Sequence, residues 1–242
     1  MTKNNKKQNG NLSPALVTGV LKTSGKPYSI HILDESWIEE VYSLHAKVVD
    51  TLSPDETTFL VHRKKEFFEE HMKNGGTVLG IISEDTLIAK SVIYEPGTGD
   101  AGKATKIQAN TVDPAYQNNG LTQHLIKTWV TLALLRGHDY LEAEVDVRNT
   151  ASLKTLINNG LTIIETRVDP DDGGLNYTLK ALTKTAALTI AFNKVAANDN
   201  AHAIDLTDVE QIDKKLTEGY HGVAVDGKNK KLILAPKKKA AP

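Results

Sequence analysis

The chain has 242 residues, 40% hydrophobic and 24% charged, which are the proportions of a globular protein long enough for one domain with appendages. A net charge of −1 supplies no global field toward nucleic acid or an anionic membrane, and the absence of cysteine removes disulfides, thiolate metal sites and a cysteine nucleophile together. No apolar run nears the ~20 residues that span a bilayer, and Met1–Gly10 leads into no secretory-type apolar segment, so a soluble, cytoplasmic protein with no membrane partner is expected.

Met1–Lys26, rich in Asn, Lys, Ser and Gly, has only Ala15–Leu21 to bury and reads as a mostly disordered leader. Tyr28–Leu33 alternates as a strand. Asp34–Ser36 then offers caps to an amphipathic helix over Ser36–Asp50, with Trp37, Val41, Leu44, His45 and Val48 at helical spacing. A second helix is expected over Glu56–Lys73, with Phe59, Leu60, Arg63 and Phe67 sharing part of a face until Asn74-Gly75-Gly76 stops it. Thr77–Ile82 and Thr86–Tyr94 form a hairpin, Pro96–Gly102 is a glycine-rich loop, and Ala104–Val112 is a strand ended by Asp113-Pro114. A long helix over Asn119–Arg136 turns Leu121, Leu125, Trp129, Leu132 and Leu135 inward. Strand Tyr140–Val147, helix Thr150–Asn159 and strands Leu161–Val168 and Asn176–Leu182 follow.

Past Lys184 the composition changes. Ala186–Phe192 reads as a strand, Ala196–Ala203 as a linker, Asp205–Glu218 as a helix, Tyr220–Val225 with Lys231–Leu234 as a hairpin, and Lys237–Pro242 as a basic tail. A unit of this size buries too little surface to stand alone, so residues 184–242 should pack on the main domain (27–183) or across a homodimer.

The stretch from Thr111 to Thr122 lies between a strand and a long helix. Gln117-x-x-Gly120-Leu121 places a glycine where the backbone must turn tightly, and the helix behind it contributes unsatisfied N–H groups and the positive end of its dipole. That combination suits a pyrophosphate. No Gly-Lys-Ser/Thr follows, as a P-loop requires, and the third glycine of a dinucleotide fingerprint is missing.

Val112-Asp113-Pro114-x-Tyr116-Gln117-x-x-Gly120-Leu121 resembles the cofactor-binding motif of the GNAT superfamily of N-acetyltransferases, Gln/Arg-x-x-Gly-x-Gly/Ala. A second block, Asn149, Ser152, Leu153, Leu156 and Asn159-Gly160-Leu161, is similar to the family's Asn-x-x-Ala/Ser helix. The resemblance covers about Tyr28–Leu182. It implies an α/β fold with a mixed, mostly antiparallel sheet flanked by helices, here followed by a small C-terminal α+β extension, and acetyl-CoA as acyl donor without a metal. It further implies that Val112 offers backbone groups to the pantetheine arm, that Gln117, Asn118, Asn119, Gly120, Leu121 and Thr122 hold the pyrophosphate, and that Asn149 and Ser152 lie near the thiol end. Thr122 stands where the family has Gly or Ala.

In the subgroup resembling ribosomal-protein N-terminal acetyltransferases, a Glu five residues before the motif Asn acts as base, and Glu144 has that place. Period-two alternation puts Glu142, Glu144 and Asp146 on one strand face, which is equally the pattern of a solvated face. The family's acid, a Tyr seven residues after the motif Asn, is replaced by Leu156. Of the histidines, His124 follows the loop, His138 ends a helix and His45 shares an apolar stripe, and no set has metal spacing. The reading is acetyl transfer to a primary amine by direct attack, the acceptor being a small amine, an amino acid or a protein amine. Its rivals are a non-catalytic acyl-CoA-binding module and an acetyltransferase directed at aminoacyl-tRNA, the latter supported only by Lys-rich ends.

Overall fold

A computed structural model describes residues 12–60, 62–96, 98–99, 102–169, 173–192 and 201–236. Within the segment expected to be a disordered leader, β1 (Val17–Val20) pairs antiparallel with β2 (Pro27–Leu33). The one apolar run there is what orders it, since Leu21 is buried in the main core. The first eleven residues of that leader and the basic tail lie outside the described residues, as do most of the expected linker and part of the glycine-rich loop Pro96–Gly102.

After β2 come α1 (Ile38–Val49), α2 (Lys65–Lys73), β3 (Thr77–Ser83), β4 (Thr86–Tyr94), β5 (Thr98–Gly99) and β6 (Gly102–Val112). The helix expected over Glu56–Lys73 is two pieces. Ser53 and Glu56 close a capping box on a short 3-10 turn, Pro54–Phe59, and the chain is extended at Leu60 and again at Lys64 before α2 starts. The break is fixed where the Arg63 amide donates to His45 Nε2 on α1 (3.1 Å).

Next are α3 (Leu121–Leu135), β7 (Tyr140–Asp146), α4 (Thr150–Asn158), β8 (Thr162–Val168) and β9 (Leu175–Leu182). Leu121, Leu125 and Trp129 are buried as expected, but Leu135 is 77% exposed, because the last turn of α3 runs past the sheet. Ala186–Phe192 is part of a helix, α5 (Thr183–Phe192), where a strand was expected. Short apolar runs do not distinguish the two by period, and the paired alanines Ala186 and Ala187 favour the helix. The extension is completed by β10 (His202–Asp205), α6 (Val209–Thr217), β11 (Tyr220–Asp226) and β12 (Lys231–Pro236). Asp205 thus ends a strand, and Asp208 caps α6 by accepting from the Gln211 amide.

The strands follow the order β1-β2-β3-β4-β6-β7-β9-β8-β11-β12-β10, with β5 on β6. Every described pairing is antiparallel except β6 with β7. α1 and α2 cover one face, packing Val41, Leu44, Phe68 and Met72 on Val78, Leu87 and Val92. α3 and α4 cover the other, with Leu125, Trp129, Leu153 and Leu156 against Leu79, Ile81, Ile88 and Ile107. The extension meets the main sheet at one bridge, Gly222 to Ile163. No helix among the described residues is long and apolar enough to cross a membrane.

Candidate functional site

The two parallel strands make the site. Their pairing runs from Ala104 with Tyr140 to Ile107 with Ala143 and then ends, although β6 continues to Val112 and β7 to Asp146. Each strand leads at its C-terminal end into a helix, α3 or α4, and such ends of parallel strands are where open α/β sheets place ligands. The split has a local cause. Opposite Lys90 and Val92 of β4, β6 carries one extra residue, a bulge, and Ala109 within it has φ +50°, a conformation that costs a residue with a Cβ about 1–2 kcal/mol.

A cavity of ≈ 170 Å³ lies at the split, walled by Gln108–Asn110 of β6, Ala143–Asp146 of β7, Asn149, Ser152 and Leu156 of α4, and Phe59, Leu60, Arg63 and Phe67 from the α1–α2 connection and α2. The four residues expected to share a face near Glu56–Lys73 do meet there, though on a turn and a helix. Glu144 lines this cavity and is held by two cations, Lys106 Nζ at 2.6 Å and Arg167 at 3.5 Å. Its neighbours on the same face are paired as well: Glu142 with Lys180 at 2.6 Å, and Asp146 with Arg148 at 2.8 Å. Asn149 and Ser152 both reach the cavity, and Asn149 Oδ1 accepts from the Ser152 amide at 3.1 Å as the cap of α4. Leu156, at the position of the family's Tyr, is buried against the cavity. Among the described lining residues, Ser152 carries the one hydroxyl.

The loop between β6 and α3 is built in layers. Asp113 accepts from the Ala115 amide (3.0 Å) and pairs with Lys47 (2.7 Å), which fixes the exit from β6. Asn118 and Gly120 are both left-handed, at φ +63° and +74°. Asn119 is buried and turned inward. Its amide donates to the Tyr116 and Gln117 carbonyls (3.0 and 3.2 Å), and its oxygen accepts from the Thr23 amide and hydroxyl (2.9 and 3.1 Å). The Asn119 side chain therefore holds the loop together.

Gly120 is the N-cap of α3 and contributes no side-chain cap, nor does an acidic residue occupy the first turn. Among the described residues the first amides of α3 have no side-chain acceptor, at the positive end of a 15-residue helix. A Cβ on Gly120 would meet only Lys22, whose Nζ would be 3.5 Å away. Lys22 lies between β1 and β2, so the ordered N-terminal strand brings a cation to this loop that motif reading does not reveal. His124, one turn into α3, is pushed down from the usual imidazole range by burial and then by the charges of Lys127 and Lys22. Among the described residues no three His, Asp or Glu side chains gather as metal ligands would.

Residues 38–156 match the Acetyltransferase (GNAT) family, a span that includes both parallel strands, the loop and most of α4. No curated protein matches the sequence. Solved structures share the fold. An N-acetyltransferase from Staphylococcus aureus Mu50 superposes with a TM-score of 0.54 at 16% identity, over 65% of this chain and 98% of that one. The ribosomal-protein-S18-alanine N-acetyltransferase of Escherichia coli gives 0.52 at 15%, over 72% and 97%. The protein yncA of Salmonella typhimurium, solved with its cofactor acetyl-CoA, gives 0.53 at 15%, over 64% and 94%. The chain thus contains, over residues 38–156, a domain of the acetyltransferase (GNAT) family.

Proposed function

We propose that the protein transfers an acetyl group from acetyl-CoA to a primary amine. The observation that carries this reading is the parting of β6 and β7 beyond Ile107 and Ala143, with an uncapped helix N-terminus at one side and a polar cavity at the other. The cofactor's pyrophosphate fits the amides of Gly120–Thr122, with Lys22 adding charge complementarity. The unpaired edge of β6 near Val112 is suited to the amide-bearing pantetheine arm. The thioester then falls near Asn149 and Ser152, and the amine enters past Phe59, Arg63 and Phe67.

Transfer requires the ammonium to lose a proton to become nucleophilic. The amine nitrogen then bonds the acetyl carbon as the C–S bond breaks, and loses a second proton as the amide forms. The leaving sulfur gains one, so that one proton is released overall. Glu144 is the carboxylate placed to take the first, directly or through water. Its pairing with Lys106 and Arg167 orients it but also occupies its oxygens, so the incoming ammonium has to compete with those cations. With Leu156 unable to donate, Ser152 or water supplies the proton that the sulfur gains. Chemistry without a covalent enzyme intermediate agrees with a chain that has no cysteine.

The same pairing of Glu144, together with Leu156, favours a second reading, a module that binds acetyl-CoA without turnover. Thiol release from acetyl-CoA in the presence of a panel of small amines, amino acids and peptides separates the two. Amine-dependent release supports the enzyme. Saturable binding with no release from any acceptor supports the module.

A further inference from the structure

Lys90 is the one fully buried lysine in the core of β4 and has no carboxylate partner among the described residues. Its Nζ donates to the Ala109 carbonyl at 3.2 Å and lies 4.7 Å from the centre of the Phe68 ring. A methionine or leucine of similar volume would fill this place at far less cost, because an ammonium taken out of water without a counter-charge is among the most unfavourable burials in a protein. Burial pushes the amine down to about 7. Unpaired buried ionisable groups beside a cleft are where function is sought first.

What the lysine holds is the pivot of the site. Ala109 is the left-handed residue of the β6 bulge, and the register of β4 with β6 shifts between Lys90 and Val92, at that bulge. The Ala109 carbonyl also accepts from Thr111 Oγ1 at 2.9 Å, so two donors fix its direction. Two residues earlier the β6–β7 pairing ends, and Ala109 and Asn110 line the cavity. Removal of the lysine from the far side of β6 would let the strand relax toward regular pairing with β4 and narrow the split.

We infer that Lys90 is a positioning residue: by holding the Ala109 carbonyl it keeps β6 bent away from β7 and so shapes the slot that receives the acyl-pantetheine end of the donor. This rests on the proposed placement of acetyl-CoA between the two strands. Lys90 touches neither donor nor acceptor, and acts through the backbone of β6.

The test is Lys90→Met in the full-length protein, with Lys90→Gln as a second variant that keeps a donor. Three measurements are made: melting temperature, acetyl-CoA affinity by titration calorimetry, and amide hydrogen exchange over 108–112. A merely structural lysine predicts that Met lowers the melting temperature and changes affinity only in proportion. The inference predicts a Met variant that melts no lower than wild type near neutral pH. It should bind acetyl-CoA about tenfold or more weakly, since small misplacements in such slots are costly, and exchange faster at 108–112 than elsewhere. Lys90→Gln should recover part of the affinity. Unchanged exchange at 108–112 would overturn the inference whatever the ligand does, as would wild-type affinity in Lys90→Met. If the wild type itself fails to bind acetyl-CoA, the donor placement is wrong, and the exchange result alone then reports on the bend.

Discussion

Gly120 and Lys90 illustrate how single residues set the site by opposite means. A Cβ on Gly120 would make only ordinary contact with the Lys22 side chain, so the requirement there is conformational: at φ +74° a side chain is strained wherever it points. Gly120→Val should reduce acetyl-CoA affinity while leaving the fold intact, because the loop must move its amides to relieve that strain. Lys22→Ala removes one cation from the same loop, and should weaken binding by several-fold at low salt and less at high salt. For Glu144→Gln the expected loss is in turnover, about 10²–10⁴-fold if the carboxylate acts as base, with cofactor affinity spared. Lys90 ties stability to pH. Its folded value of about 7 lies below the unfolded value near 10.5, so the folded state gives up a proton that the unfolded chain keeps. Stability should therefore rise as pH climbs from about 7 toward 10.5, by an amount on the order of a few kcal/mol. Comparative melting of wild type and Lys90→Met across that range measures it, the excess stability of Met being largest at pH 7 and vanishing near pH 10.

Elements were legible where period and punctuation agreed. Gln117-x-x-Gly120 between a strand and a helix located the loop, and the spacing to Asn149 located the second helix at the cavity. Three features were hidden because each depends on contacts remote in sequence. β1 is ordered by pairing with β2 and by Thr23 on Asn119, 96 residues away, where the composition alone suggested disorder. The break before α2 depends on the Arg63 amide reaching His45. The bulge at Ala109 needs Lys90 from the neighbouring strand, and an alanine carries no signal of positive φ. The join between β8 and β11 is likewise a matter of close approach. A Cβ on Gly222 would come within 2.9 Å of Ile163, so Gly222→Val should detach the extension and lower the melting temperature without altering acetyl-CoA affinity.

For the molecule as a whole, the division of labour follows the sheet. The family match covers 38–156, which spans the loop and most of the cavity-lining helix α4, while beyond Leu182 the later strands extend the same sheet past β8. α5 packs on α3, with Ala186 Cα so near Gly160 that a Cβ there would be 3.0 Å away. Tyr177 is buried in the main sheet, and its phenol is raised above the usual range first by burial and then by the charges of Asp208 and Asp213 on the extension. Truncation after Leu182 should therefore uncover apolar surface, lowering solubility and thermal stability, which light scattering and calorimetry would register. The central claim is that the split between β6 and β7, with its uncapped loop, is an acetyl-CoA site. Titration of acetyl-CoA into wild type and Gly120→Val side by side tests it most directly. The account predicts saturable one-to-one binding by the wild type and at least about tenfold weaker binding by the folded variant, a loss of about 1.4 kcal/mol or more. No heat from the wild type, or equal affinity in the two proteins, would contradict it.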